Sequence, residues 1–166
     1  MMSDRASRTV LITGASSGLG LALARRMAAD GLRVGLVARD AERGERALES
    51  IRHDTGSQAL QLFVADLASQ AAVRALAAEV LDTFDALHLL VNNAGTAFPE
   101  RRLSPEGIEC ALAVNNLAPF LLTRLLLDRL LASAPASVLN IGTRIDTAMD
   151  LDDLDWGRRR YRMMQA

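Results

Sequence analysis

Residues 10–20 limit the fold more than any other part of this sequence. They begin with the apolar run Val-Leu-Ile and then place three glycines, Gly14, Gly18 and Gly20, within seven residues. Leucines and alanines follow from Leu21, which favours a helix. A strand, a glycine turn and a helix start form an anion site in that order, because glycine allows close backbone approach and the first N–H groups of a helix attract negative charge. The sequence therefore predicts a phosphate-binding turn after the first strand.

Apolar runs and helix-compatible segments alternate along residues 9–143. Continuous apolar strands separated by helices imply parallel βαβ units, with helices covering both sheet faces. The predicted fold class is therefore α/β, a doubly wound parallel sheet of five strands within residues 1–143, followed by an irregular charged tail, 144–166. The predicted strands are 9–13, 33–38, 60–65, 87–91 and 137–141, and the predicted helices are 18–29, 41–53, 70–82 and 105–131.

The start of the last helix and the character of the tail are predicted from local residue patterns. Ser104-Pro105-Glu106 is typical of a helix start, with a serine cap, a first-turn proline and a first-turn acid, and it places the start of the last helix at Pro105. The tail carries acidic residues followed by arginines, which is typical of a solvated loop. Trp156 is interpreted as the packing anchor of that tail.

Composition excludes several function classes. Half of the 166 residues are apolar, which is incompatible with a disordered chain, and a formal net charge of −1 gives no electrostatic reason to expect a nucleic-acid partner. Cys110 is the single cysteine, so we expect no internal disulfide, no cysteine-based metal site and a cytoplasmic location. Neither histidine has a partner at metal-ligand spacing, so no metal site is predicted. Residues 117–131 contain Pro119, Arg124 and Asp128, which favours a buried helix over a membrane span.

Polar residues follow the predicted strands at the edge where such sheets bind ligands. Arg39 follows strand two about 20 residues after the glycine turn, the distance at which dinucleotide folds recognise a ribose. Arginine suits a 2′-phosphate, so NADP(H) is favoured over NAD(H); a solvated strand-end arginine is the alternative interpretation. The adjacent Asp40 is explained as the cap of the next helix. Asn115 and Asn116 lie in the apolar last helix, where we expect buried amides, one of them facing the site.

These motifs resemble the short-chain dehydrogenase/reductase family over residues 9–143. The glycine turn resembles its cofactor motif, residues 66–67 its adenine-contacting pair, and residues 92–95 its strand-four motif. The resemblance implies a Rossmann fold and an oxidoreductase that moves a hydride between NADP(H) and a small-molecule carbonyl or alcohol. Residues 38–40 and 151–161 resemble the retinol-dehydrogenase-like branch more specifically. The implied cofactor-binding residues are Gly14, Ser16, Ser17, Gly18, Leu19, Gly20, Arg39, Asp66, Leu67, Asn93, Ala94 and Gly95.

The catalytic residues that the resemblance implies are incomplete. Asn115 occupies the position of the family's catalytic asparagine, and Thr143 occupies that of its serine, where it keeps a hydroxyl able to donate to a carbonyl. The family's Tyr-x-x-x-Lys pair is missing, because the sequence contains no lysine and the single tyrosine, Tyr161, has Gln165 four residues later. Without a nearby cation a phenol is not tuned for proton transfer, so Tyr161 is interpreted as a tail residue. We expect a chain shortened before the pair, with slow or absent turnover.

Two other function classes stay open at this point. An intact glycine turn beside an incomplete catalytic set suits a non-catalytic NADP(H)-binding module. An association-prone remnant of such an enzyme is the second alternative, because helix 105–131 would leave an apolar patch uncovered and form a homo-oligomer through it. The leucines expected in this patch are Leu121, Leu122, Leu125, Leu126 and Leu130.

Overall fold

The computed structural model describes residues 8–143, 150–158 and 160–161. Within them five strands form one parallel sheet: β1 (Thr9–Thr13), β2 (Arg33–Ala38), β3 (Leu60–Val64), β4 (Leu89–Asn92) and β5 (Ser137–Asn140). The order is β3-β2-β1-β4-β5, so the direction of winding reverses between β1 and β4. An open sheet of this kind binds its ligands outside the carboxyl ends of the strands at that reversal. The predicted doubly wound α/β fold is confirmed.

Four helices connect these strands: α1 (Gly18–Ala29), α2 (Ala41–Thr55), α3 (Gln70–Thr83) and α4 (Cys110–Ala132). The helix starts follow local capping chemistry, because Asp40 accepts a hydrogen bond from the Arg43 N–H at 2.8 Å and Ser69 accepts one from the Ala72 N–H at 3.3 Å. Inside α4, residues Ala113–Leu117 form a π-helical turn between two α-helical segments. Turns of this type are often found at functional sites.

Side chains of the central strand point alternately into two separate cores. Val10 and Ile12 pack with α1 and α2 on one face, whereas Leu11 packs with α3 and α4 on the other. Each fully buried side chain of this size stabilises the fold by roughly 1.5–3 kcal/mol. At the edge of the sheet, all four residues of β5 are exposed.

The predicted start of the last helix at Pro105 is wrong. Ser104 to Gly107 form a tight turn, in which the Gly107 N–H donates to the Ser104 carbonyl at 2.9 Å and Gly107 adopts φ +79°. The helix begins only at Cys110, where the Glu109 carboxylate accepts hydrogen bonds from the first free N–H groups. Ser-Pro-x-Gly suits a type I turn as well as a helix start, since proline is favoured at its second position and glycine at its fourth.

The leucine patch predicted on this helix is also wrong. Leu122, Leu126 and Leu130 are buried in the core that α4 shares with α3, and Leu121 and Leu125 pack against the same core. The exposed apolar side chains of α4 are instead Phe120 and Leu131. Among the described residues α4 is also the one helix whose length and composition would allow it to cross a membrane, a test that a core helix passes equally well.

The described part of the tail is folded back onto the domain. Trp156 is only 5% exposed and contacts the ring of Tyr161 edge to face, with a centroid distance of 5.6 Å. The Arg101 Nε group donates to the Asp155 carbonyl at 2.7 Å, which joins the tail to the loop before α4. Trp156 thus anchors the tail by packing, as predicted.

The interpretation of the charged tail as a solvated loop is wrong for Asp153, which is 6% exposed and accepts hydrogen bonds from the N–H groups of Gly157 and Arg158 at 2.8 and 3.2 Å. Other residues of the tail prediction, Asp146, Arg159, Arg162 and Gln165, lie outside the described residues, and the division at residue 143 stays a prediction.

Candidate functional site

The glycine turn is held in place by the end of β4. The Asn93 amide donates to the Thr13 carbonyl at 2.9 Å and to the Gly14 carbonyl at 3.3 Å. The Thr13 hydroxyl donates to the Val91 carbonyl at 3.3 Å and accepts hydrogen bonds from the N–H groups of Asn93 and Ala94, both at 3.0 Å. These contacts join the ends of β1 and β4, the two strands between which the sheet order reverses.

Backbone packing explains the glycines of this turn. A Cβ atom on Gly20 would lie 2.4 Å from the Gly14 carbonyl oxygen, and one on Gly14 would lie 2.9 Å from the Ala94 Cα atom. At Gly18 φ is +55° and no atom lies within 4 Å of the Cβ position. Gly14 and Gly20 are therefore required by close approach, whereas Gly18 provides a left-handed conformation facing open space.

The start of α1 lacks a side-chain cap. Its cap residue, Ser17, makes no side-chain hydrogen bond to the first turn. The orphan N–H groups of a helix start need partners, and together with the helix dipole they favour an anion. A pyrophosphate fits this chemistry, so the residues present are suited to a dinucleotide.

A cavity of about 600 Å³ extends from the glycine turn across the ends of the neighbouring strands. It brings together most of the cofactor-binding residues predicted from the sequence. Gly18 and Gly20 do not line it and act through the shape of the turn. The predicted residues in its wall are Gly14, Ser16, Ser17, Leu19, Arg39, Asp66, Leu67, Asn93, Ala94 and Gly95.

Several cavity residues were missed by the sequence analysis. Arg43 lines the cavity together with Arg39 and Asp40, and its position four residues after Arg39, in the first turn of α2, is a signal that could have identified it. Residues from the loop between β4 and α4 and from the start of α4 also contribute to the wall. They are Thr96, Phe98, Arg102, Leu103, Cys110 and Val114.

The two predicted catalytic residues lie outside the cavity wall. Asn115 lies in the π-helical turn and forms a closed pair with Thr96, whose N–H donates to Asn115 Oδ1 at 2.9 Å and whose carbonyl accepts from Nδ2 at 2.8 Å. Both Asn115 and Asn116 are exposed, so the expectation of buried amides is wrong. The π-helical turn contains an extra residue and changes which side chains face the core. Thr143, after β5, is exposed as well.

The Asn92 side chain joins the ends of β4 and β5. It is 3% exposed, and its amide donates to Asn140 Oδ1 at 2.8 Å and to the Thr123 hydroxyl at 3.3 Å. Hydrogen bonds of this buried kind fix strand ends because an unpaired amide is costly in the interior. Asn92 therefore fixes the end of β5, the strand that Thr143 follows.

The tyrosine of the tail is bound to a buried carboxylate. The Tyr161 hydroxyl donates to Glu109 Oε1 at 3.3 Å, and Glu109 is completely buried. Burial, together with the Glu109 charge and hydrogen bond, raises the pKa of the Tyr161 phenol. A tyrosine that transfers protons near neutral pH needs the opposite shift.

No metal site is formed by the described residues, in which no group of three or more histidine, cysteine, aspartate or glutamate side chains is suitably arranged. His88, the residue before β4, has a structural role: its Nδ1 atom accepts a hydrogen bond from the Thr9 N–H at 3.0 Å. That contact aligns the start of β1 with the segment before β4.

Comparison with known proteins adds an independent observation. The family model described as short chain dehydrogenase matches residues 8–147. Human retinol dehydrogenase 13 is 37% identical over 161 residues, which cover 96% of this chain and 49% of that protein. Human retinol dehydrogenase 12 is 41% identical over 136 residues, which cover 82% of this chain and 43% of that protein.

Solved structures show the same similarity. A short-chain dehydrogenase from Sphingobium yanoikuyae in complex with NADPH has a TM-score of 0.72 and 34% identity, covering 84% of this chain and 55% of that chain. The present chain spans about half the length of the curated relatives it matches.

Proposed function

This chain belongs to the short-chain dehydrogenase family, and from that premise we propose that it is the NADP(H)-binding part of an oxidoreductase that interconverts a small-molecule alcohol and carbonyl compound. The observation that carries the proposal is one cavity joining the uncapped start of α1 to the strand-end arginine of β2. The helix start offers N–H groups to a pyrophosphate, and Arg39 offers a guanidinium to a 2′-phosphate. The similarity to retinol dehydrogenases supports the alcohol–carbonyl reaction, and the similarity to an NADPH-bound structure supports the cofactor.

Each group of residues has a proposed role. Ser16, Ser17 and Leu19 bind the pyrophosphate, Asp66 and Leu67 bind the adenine end, and residues 93–95 bind the nicotinamide half. The bound cofactor would supply or accept the hydride. The resemblance to the family assigns two catalytic roles to residues outside the cavity wall: the Thr143 hydroxyl would donate to the carbonyl oxygen of the substrate, and Asn115 would support an ordered water molecule.

The preference for NADP(H) follows from the charges at the end of β2. Arg39 and Arg43 are both exposed and line the same cavity, whereas the Asp40 carboxylate between them is engaged as the cap of α2. A charge-assisted hydrogen bond contributes about 1.5–3 kcal/mol, so one such bond to a 2′-phosphate favours NADPH over NADH by roughly 10- to 150-fold.

Titration of the protein with NADPH and with NADH by calorimetry tests this proposal. We expect NADPH to bind more tightly, and Arg39→Ala to weaken NADPH while leaving NADH nearly unchanged. Arg124→Ala is the matched control, because it removes the same charge from an exposed position of α4 outside the cavity wall. Absence of binding by both nucleotides would contradict the proposal.

A non-catalytic NADP(H)-binding module is the second candidate function. It is favoured by the engaged Tyr161 hydroxyl and by the lack of any lysine in the 166 residues. General acid–base groups typically contribute about 10²–10⁴-fold to a rate, so we expect aldehyde reduction by this chain to be slower than that of a complete enzyme by at least that factor. Oxidation of NADPH by an aldehyde at a normal enzymatic rate, near 10 s⁻¹, would exclude this candidate.

A cytoplasmic location and a homo-oligomeric state complete the proposal. Cys110 is buried and unpaired among the described residues, which suits a reducing compartment. The exposed apolar side chains of α4 and β5, such as Phe120 and Val138, favour association with another copy.

A further inference from the structure

The loop between β4 and α4 contains a cation–aromatic pair that the proposed function does not use. The guanidinium carbon of Arg102 lies 4.9 Å from the centroid of the Phe98 ring. Both side chains line the cavity, Phe98 being half-buried and Arg102 exposed. No ion pair involves Arg102 among the described residues, so its charge is not neutralised by a neighbouring carboxylate there.

Hydrogen bonds fix this loop against the segment that follows β3. The Arg102 carbonyl accepts a hydrogen bond from the Cys110 N–H at 2.9 Å. Glu106 Oε1 accepts hydrogen bonds from the Ser69 hydroxyl at 2.9 Å and from the Ala71 N–H at 3.3 Å. Because Ser69 and Ala71 lie at the start of α3, the loop is held near the end of β3, where Asp66 and Leu67 are found.

Arg102 and Asp66 line the same cavity as Cys110, whose N–H donates to the Arg102 carbonyl. Burial raises the pKa of the Cys110 thiol, and the charges of Glu109 and Asp66 raise it further, whereas the charge of Arg102 lowers it. The thiol is therefore within electrostatic range of both Asp66 and Arg102. This end of the cavity, formed by β3 and the loop, borders the Arg39 position, because Ala38 of β2 pairs with Val64 of β3.

We propose that Arg102, supported by Phe98, stacks on the adenine ring of the dinucleotide. This inference depends on the proposed nucleotide-binding function. A planar guanidinium stacks on an aromatic ring, and a half-buried phenylalanine beneath it holds the plane in place. The Asp66 carboxylate at the same end disfavours a phosphate dianion, and Leu67 provides an apolar surface for a base. Arg102 thus recognises the base, whereas Arg39 recognises the 2′-phosphate.

Calorimetric titration of Arg102→Leu, Phe98→Leu and Arg102→Lys tests the assignment with three probes: NADPH, NADH and reduced nicotinamide mononucleotide, which lacks the adenosine. We expect Arg102→Leu and Phe98→Leu to weaken NADPH and NADH by the same factor, about 5- to 30-fold, and to leave the mononucleotide unchanged. Arg102→Lys keeps the positive charge but removes the planar guanidinium, so we expect it to lose as much affinity as Arg102→Leu. Arg124→Leu is the control for the loss of one exposed arginine.

The outcomes separate this inference from the proposed function. Loss of affinity for NADPH alone, or rescue by Arg102→Lys, would indicate a phosphate contact and overturn stacking. Unchanged affinities in both Arg102 variants would overturn the inference and leave the proposed function standing. If the unmodified protein binds neither dinucleotide, the proposed function itself fails. If circular dichroism shows that Phe98→Leu is unfolded, the titrations of Arg102→Leu and Arg102→Lys still test the inference, because Arg102 is exposed.

Discussion

At the scale of single residues, the glycine turn depends on the absence of a Cβ atom at Gly20. A Cβ atom on Gly20 would lie only 2.4 Å from the Gly14 carbonyl oxygen and 2.5 Å from the Asn93 amide nitrogen, closer than van der Waals contact. The turn is therefore held by backbone and amide groups in direct contact, and a single methyl group is enough to separate them.

We expect Gly20→Ala to abolish nucleotide binding and to lower the free energy of unfolding. Overpacking costs about 1–3 kcal/mol, and the gain in helix propensity of up to about 1 kcal/mol offsets only part of it. Chemical denaturation and NADPH titration measure both effects. Gly142→Ala is the control, because a Cβ atom there meets no atom within 4 Å. Equal behaviour of the two variants would show that close approach at Gly20 is unimportant.

The phenol of Tyr161 should titrate above its usual pKa of 10.0, because burial and then the Glu109 carboxylate disfavour the phenolate. Since this is the only tyrosine in the sequence, ultraviolet absorbance of the phenolate reports on it alone. Glu109→Gln removes the charge but not the burial, so the pKa should fall part of the way towards 10.0. A normal pKa in the unmodified protein would contradict the contact with Glu109.

At the scale of elements, local signals predicted the first half of the chain well. The bounds of β1, α1 and β2 agree with the sequence predictions, because a β-branched run, a glycine turn and a capping residue each act over a few neighbours. The start of α4 was not predictable in this way. Its turn is stabilised by contacts of Glu106 with Ser69 and Ala71, which lie 37 and 35 residues away.

The site was predictable to a similar extent. Strand ends and the glycine turn identified most of the predicted residues that line the cavity between the start of α1 and the end of β2, since these positions follow directly from the order of strands. Phe98 and Arg102 were missed because the path of a loop, and therefore the direction of its side chains, depends on long-range contacts. The exposed position of Asn115 was missed because nothing in the sequence indicates a π-helical turn.

Glu106 should make the attachment of this loop dependent on pH. Partial desolvation raises its pKa, but hydrogen bonds from the Ala71 N–H and the Ser69 and Ser104 hydroxyls outweigh this and hold the pKa below its usual 4.5. A depressed folded pKa gives a stabilisation that is present above 4.5 and lost as the pH falls through the lower folded value.

The stability difference between the unmodified protein and Glu106→Gln should therefore shrink as the solution is acidified below pH 4.5. Urea denaturation at a series of pH values measures it. Glu100→Gln, at an exposed position of the same loop, controls for the removal of one carboxylate. A difference that does not vary with pH would rule out the hydrogen-bonded carboxylate as its cause.

At the scale of the whole molecule, the edge of the sheet formed by β5 is exposed. In the described part of the chain, β5 is an edge strand, and its apolar residues Val138 and Leu139 are 39% and 43% exposed. An edge strand offers unpaired N–H and carbonyl groups, and apolar side chains beside them favour pairing with another chain.

We expect Val138→Lys to reduce self-association of the protein, because a charged side chain on an edge strand opposes pairing. Light scattering over a range of concentrations measures the effect. Ala78→Lys introduces the same charge at an exposed position of α3, away from β5 and from the exposed apolar residues of α4, and serves as the control. Equal suppression by both variants would indicate a general effect of charge, and a monomer at all concentrations would remove the basis for association altogether.

The bridge between β1 and β4 has a consequence for the order of folding. The Thr13 hydroxyl and the Asn93 amide that shape the glycine turn are separated by 80 residues of sequence. Contacts between such distant residues form slowly, since a long stretch of chain must be closed into a loop first. The turn acquires its native geometry only after β4 has been placed beside β1. Nucleotide binding during refolding would therefore report the moment at which β4 pairs with β1, because a chain that has formed only its first βαβ unit has the glycines but lacks Asn93 beside them.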